Sequence, residues 1–200
     1  HISTKLILAI YIVFDFFCTV RKKKRRENFE HNIVHLTGDK SPMGRGFIEN
    51  QNEWGNIHFG KTTMAFAGCE IMAVYNALYA LGVRSGPEFI SELISVFEVK
   101  GAALQGWIGS SPFAIKRYLD KHGIKCRIVW KEEKLSDVNV AIATIYNDRY
   151  NLYSQIHTVA LTKEADGYVV HNASRAKKGC QTLREAVNGV SVAPKLICAI

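Results

Sequence analysis

The stretch Gly68-Cys69-Glu70-Ile71-Met72-Ala73-Val74-Tyr75-Asn76-Ala77-Leu78-Tyr79-Ala80-Leu81 decides how the chain is read. Ile71, Val74, Leu78 and Leu81 fall on one face of an α-helix, and Gly82 supplies its stop. Two more helices are expected after it. Pro87 opens one that runs through Phe97, and Ser110-Ser111-Pro112 caps another that reaches His122 and ends at Gly123. The pattern then changes to strands, at 124–130, 138–146, 155–162, 167–172 and near 190–199. Helices first and strands afterwards define an α+β domain, because parallel βαβ units would require alternation.

On the N-terminal side, residues 27–60 are rich in Asn, Gly and His with little periodicity, and 27–53 reads as a linker and lead-in to a domain over 54–200. Before it, Leu6 to Val20 is apolar except for Asp15 and a few small polar residues, and is closed by Arg21-Lys22-Lys23-Lys24-Arg25-Arg26. As a helix, residues 2–20 would span roughly 28 Å, close to the ~30 Å of a bilayer core. A cleaved signal peptide has its charges before the apolar stretch, the reverse of this order. Residues 1–26 are therefore expected to form a membrane anchor, with the basic run holding the domain on the cytoplasmic side. A core helix of a soluble protein is the alternative that Asp15 keeps open.

Two hundred residues with 48% hydrophobic and 22% charged side chains suit one ordinary globular domain. The net charge of +8 arises from 26 basic and 18 acidic residues. With Lys5, the basic run and Asp15 set aside, residues 27–200 carry 19 basic against 17 acidic side chains. So nearly neutral a body does not read as a nucleic-acid surface. Five cysteines, at 18, 69, 126, 180 and 198, form no CxxC pair, which argues against a disulfide framework and a zinc site. No metal or organic cofactor is implied. Cys126 and Cys198 lie in apolar runs and read as small core residues, which leaves Cys69 in the unusual setting.

Cys69 stands at a helix start, where unpaired N–H groups and the positive end of the helix dipole favour a thiolate. An isolated cysteine is more often a small buried residue. The segments Gln155–Thr162 and Gly167–Asn172 change that weighing, because they form a hairpin. With Thr162 opposite Gly167, Leu161 faces Tyr168, Val159 faces Val170 and His157 faces Asn172. An Asn at that place can hydrogen-bond one imidazole nitrogen and turn the other toward a nucleophile. His171 falls on the opposite face, and it reads as structural or exposed, as do His31, His35 and His122.

Cys, His and Asn in that order, with the Cys at a helix start and the others on late antiparallel strands, resemble the papain-like cysteine peptidases. Within them the chain is most similar to the bacteriocin-leader (double-glycine) peptidase group. The likeness covers roughly residues 54–172 and is carried by Ala67–Leu78, Gly109–Leu119 and the His157–Asn172 hairpin. It implies N-terminal helices packed on an antiparallel β-sheet with a cleft between, and a peptide or protein substrate. In it Cys69 is the nucleophile, His157 the base and then the acid, and Asn172 the residue that orients His157. Two positions depart from the family pattern. Thr63 stands where a Gln usually completes the oxyanion hole, and is a weak substitute; the nearest upstream amides are Asn56, Asn52 and Gln51. Glu70 replaces the usual Gly after the Cys, and its charge tends to raise the thiol pKa. The same constellation would also suit an acyltransferase or deamidase, or an inactive module that only binds peptides.

A rival motif is Gly55-Asn56-Ile57-His58-Phe59-Gly60-Lys61-Thr62, which satisfies the phosphate-loop pattern GxxxxGK[ST]. Such a loop leaves a buried parallel strand, whereas Phe47–Trp54 is polar and Asn-rich. A glycine-bearing turn leading toward the Cys69 helix is the favoured reading, with nucleotide binding as the lesser alternative.

Overall fold

Buried polar side chains, as much as apolar ones, fix how the helices meet the sheet. The computed structural model describes residues 20–44, 46–107, 109–129, 138–146, 156–165, 167–173 and 196–199. The expected anchor segment up to residue 19 lies outside them. Val20 is buried, and its N–H donates to the Glu98 carbonyl at 3.1 Å. No helix among the described residues is long and apolar enough to cross a membrane.

The basic run opens a regular element, helix α1 (Lys22–Thr37). The stretch expected as an unstructured lead-in thus carries most of a 16-residue helix. Its buried residues are Asn28, Asn32 and Leu36, one stripe at helical spacing. Two of the three are amides, so hydrophobic periodicity does not reveal it. Asn32 brackets His58, donating to its carbonyl at 2.8 Å and accepting from its N–H at 2.7 Å. Asn28 donates to the Gly60 carbonyl at 2.9 Å and to the Glu98 carboxylate.

A 3₁₀ turn, Gln51–Trp54, precedes a small hairpin of β1 (His58–Phe59) and β2 (Thr62–Thr63). The turn of that hairpin requires glycine. Gly60 has φ +58°, and a Cβ there would lie 2.0 Å from the Gln105 carbonyl oxygen. One helical turn, α2 (Met64–Ala67), leads through Gly68 into α3 (Cys69–Ala80). Gly68 has no room for a side chain either, since its Cβ would meet the Met64 carbonyl at 2.6 Å.

Every α3 residue from Cys69 to Leu78 is buried, where an amphipathic helix with one apolar face was expected. Leu81, expected on the buried face, caps the helix and is exposed. Helix α3 packs against strands β4 (Val140–Tyr146) and β5 (Ile156–Glu164) and against α4 (Pro87–Lys100), which in turn carries α1. Helix α5 (Pro112–Lys121) follows. Ser111 occupies its N-cap position without a side-chain capping bond, and the Ser110 hydroxyl turns to α3 instead.

The described residues thus combine helices with a five-stranded antiparallel sheet, in the order β3 (Arg127–Val129), β7 (Leu196–Ala199), β4, β5, β6 (Gly167–His171). The last strand is inserted between β3 and β4. Val140, Ile142 and Ala160 put one sheet face into the helical core. Strands β5 and β6 pair Glu164 with Gly167 and Ala160 with His171, two residues away from the expected register. The connection spans only residues 165 and 166, the length whose twist suits a hairpin. A slip of two preserves which side chains share a face, so His157 and Asn172 keep the same parity but are diagonal neighbours, not opposed ones.

Gly60→Ala and Gly55→Ala give a paired test of the close approach at the turn. The left-handed conformation alone costs an alanine about 1–2 kcal/mol, and the overlap with Gln105 adds to it. Gly55 is right-handed, with φ −63°, and has open space around its Cβ, so its substitution should be neutral or mildly stabilising. Equal urea midpoints for the two variants would contradict the packing of residue 60 against residue 105.

Candidate active site

Cys69 is the first residue of α3, so its N–H lies outside the intrahelical ladder. Its side chain is 7% exposed, and the Sγ–H donates to Glu70 Oε2 at 3.1 Å. The same carboxylate oxygen accepts from the Ser110 hydroxyl at 2.9 Å. Burial pushes the Cys69 thiol well above its ordinary range and the neighbouring Glu70 charge pushes it further, while backbone groups of Thr158 and Glu70 pull weakly the other way. Burial thus works against the thiolate that a helix start favours. A helix terminus is worth about 0.3–1 kcal/mol, whereas burying an ionised group can move its pKa by up to ~3–5 units. Burial also raises the Glu70 carboxyl, against the bonds it accepts from Cys69 and Ser110.

The Thr158 backbone reaches Cys69 because β6 stops at His171, opposite Ala160. The edge of β5 ahead of Ala160 therefore has no β6 partner, and the start of α3 lies against it. His157 is the next residue along that edge. By the alternation of the strand it belongs to the face of Val159 and Leu161, not to the helix-facing side of Ala160. No hydrogen bond joins Cys69 to His157 among the described residues.

The structure does bring His157 and Asn172 together, at 2.7 Å, but through the Asn172 backbone carbonyl and not the expected side chain. A carbonyl oxygen only accepts, so the neutral ring carries its proton on Nε2. Nδ1 is left as a lone-pair acceptor without a partner among the described residues. Burial lowers the His157 pKa against the opposing effect of that carbonyl, which favours the neutral ring and makes it a weaker base. Asn172 is left-handed, with φ +62°. Its amide oxygen accepts from the Gln51 N–H at 3.0 Å, and its amide nitrogen donates to Gln51 Oε1 at 3.2 Å and approaches Met72 Sδ at 3.7 Å.

Thr63 pairs with His58 in the small hairpin and precedes α2, and among the described residues it shows no hydrogen bond to Cys69, His157 or Asn172. The upstream amide that does reach the site is Gln51, which also donates to the Ala65 carbonyl at 2.9 Å. His171, read as structural or exposed, is buried and bonded to Glu49 at 2.7 Å. Nothing in the sequence marks Glu49. His31, His35 and His58 stack ring on ring, a parallel arrangement that turns their nitrogens away from any common centre. No cluster among the described residues could hold a metal ion.

The phosphate-loop lookalike is a tight hairpin, with no strand before it among the described residues. Three of its N–H groups are committed to the protein: His58 to Asn32, Gly60 to Glu98 at 2.7 Å, and Lys61 to the Gln105 carbonyl at 2.9 Å. No protein-family model, curated protein or solved structure matches this chain.

Iodoacetamide reads the state of the thiol directly, with the partly exposed Cys126 as an internal reference. Labelling of Cys69 at neutral pH should be slow and should accelerate as pH rises past the ordinary thiol range, because the thiolate is the nucleophile. Glu70→Gln removes the adjacent charge and should speed labelling roughly tenfold for each unit the thiol comes down. An unchanged Cys69-to-Cys126 labelling ratio in that variant would show that Glu70 does not hold the thiol.

Proposed function

We propose that the chain is a papain-like cysteine peptidase, with Cys69 as nucleophile, His157 as base and then acid, and Asn172 holding His157 in the reactive tautomer. The observation that carries this reading is the bond from His157 Nε2 to the Asn172 carbonyl. It commits the ring proton to one nitrogen and leaves the Nδ1 lone pair free. Because His157 leaves β5 on the face opposite the helix-facing side, the reading requires its ring to turn round the strand edge toward the Cys69 sulfur. Attack requires the thiol to leave Glu70 and give its proton to Nδ1 as sulfur bonds to the substrate carbonyl carbon. The Cys69 N–H donates to the resulting oxyanion. The Nδ1 proton then passes to the departing amine, and water, deprotonated by the same nitrogen, releases the acid and restores the thiol. An acyltransferase or deamidase would differ only in the group that leaves or attacks. The tether at residues 1–26 belongs to the same proposal, with the peptidase facing the cytoplasm.

The thiol bonded to Glu70 instead of His157 favours a second reading, an inactive module that binds peptides without cleaving them. A quenched-fluorescence peptide library separates the two. Turnover that is lost by a factor of about 10⁴ or more in Cys69→Ala, with a native melting curve, supports the peptidase. Binding without turnover in the unaltered chain supports the module.

The acid limb of kcat/KM carries a sign. The His157 pKa is lowered, so the ring stays neutral below the ordinary imidazole range and activity should persist there. Folding stability should fall over the same interval, since the unfolded chain accepts a proton on this side chain that the folded one resists. An acid limb displaced above the ordinary range would exclude the buried ring of His157 as the base.

A further inference from the structure

We infer that Glu49 and His171 are positioning residues for His157, because together they fix the left-handed turn at Asn172 from which the His157-binding carbonyl projects. This rests on the peptidase reading of Cys69 and His157. A non-glycine residue at φ +62° persists only where its surroundings over-determine it. Glu49 supplies much of that constraint by gripping two consecutive residues with one carboxylate. Oε1 lies 2.7 Å from His171 Nδ1, and Oε2 accepts the Asn172 N–H at 3.1 Å.

The peptide between residues 171 and 172 is therefore held at both ends, which sets the direction of the carbonyl that follows. The other nitrogen of His171 lies 2.9 Å from the Thr162 hydroxyl, and its ring stacks on Phe47 at 3.7 Å. A carboxylate only accepts, so His171 presents Nδ1–H to Glu49. The segment bearing Glu49 is anchored in turn. Asn76, buried in α3, accepts from the Ile48 N–H at 2.8 Å and donates to the Ile48 carbonyl at 2.9 Å. The helix that carries the nucleophile thus braces the residue that orients the base. The titratable groups gathered here are Glu49 from the 47–50 segment, His157 from β5, His171 from β6, and Cys69 and Glu70 from α3.

Side-chain NMR of the ¹⁵N-labelled full chain tests the inference without relying on activity. In the unaltered protein neutral His157 should carry its proton on Nε2. Glu49→Ala should release the turn, mix the two tautomers and move the His157 titration to lower pH, because the lost carbonyl bond favoured the charged ring. In an active enzyme kcat/KM should fall at least about tenfold through kcat, since general base catalysis contributes ~10²–10⁴. Glu49→Gln keeps an acceptor for the Asn172 N–H and can donate to His171 in its other tautomer, so it should restore the titration. His171→Phe keeps a ring against Phe47, removes both hydrogen bonds and should shift the titration in the same direction by less. It carries the test should Glu49→Ala not fold.

A proton found on Nδ1 in the unaltered chain would overturn the inference. So would an unchanged tautomer and titration in a folded Glu49→Ala or His171→Phe variant. An unaltered chain with the Nε2 tautomer and the expected variant shifts but no turnover would defeat the peptidase reading while leaving the positioning of His157 intact.

Discussion

A helix without a solvent face must find protein partners for every polar group it carries, and α3 has no solvent face from Cys69 to Leu78. Its polar side chains meet that demand in ways that fix the surrounding chain. Asn76 pairs with both backbone groups of Ile48, which pins the 47–51 segment alongside the helix. Glu70 collects the Cys69 thiol and the Ser110 hydroxyl, which ties the loop before α5 to the helix start. Met72 touches the Asn172 amide that follows β6. The candidate site is where these obligations converge.

Apolar periodicity made most of this architecture legible in the sequence. Helices α3, α4 and α5, and the strands that follow them, are announced by spacing, by proline at a first turn and by glycine at a stop. What escaped depends on polar burial. Helix α1 is docked by Asn28 and Asn32, and a stripe of amides carries no hydrophobic signal. The parity of His157 and Asn172 followed from alternation alone, but loop length set the register, and a backbone carbonyl does what the amide was expected to do. Residue types can suggest which side chains meet. They say little about which atoms do.

The glycine-bearing hairpin at 55–62 shows the same distinction from the other side. Its pattern fits a phosphate cradle at every specified position, yet a cradle consists of free N–H groups at the end of a strand. Here Glu98 occupies the place of an anion. It is buried in α4 and accepts from the Gly60 N–H and the Asn28 amide. Burial holds its carboxyl above the usual range despite those bonds. The glycine at 60 is explained by the close passage of Gln105, without recourse to a ligand.

Burial also sets the electrostatic condition of the site, since it pushes the Cys69 thiol up and the His157 ring down, each toward its neutral form. An ion pair formed between them would need to recover the desolvation of two charges by their mutual attraction, which succeeds only in a close and well-bonded geometry. Glu70 weighs against that pair further. Its carboxylate accepts the thiol proton in a hydrogen bond and repels the negative sulfur that ionisation would create. A glycine in its place would leave the sulfur without either restraint. Glu70 is itself buried and its carboxyl is raised by the loss of solvent, so whatever draws Ser110 away leaves the carboxylate with the thiol and its own backbone as donors. Glu70 therefore couples the protonation of Cys69 to the position of the loop before α5. In this chain the resting thiol answers to Glu70 and Ser110, and among the described residues no hydrogen bond ties it to His157.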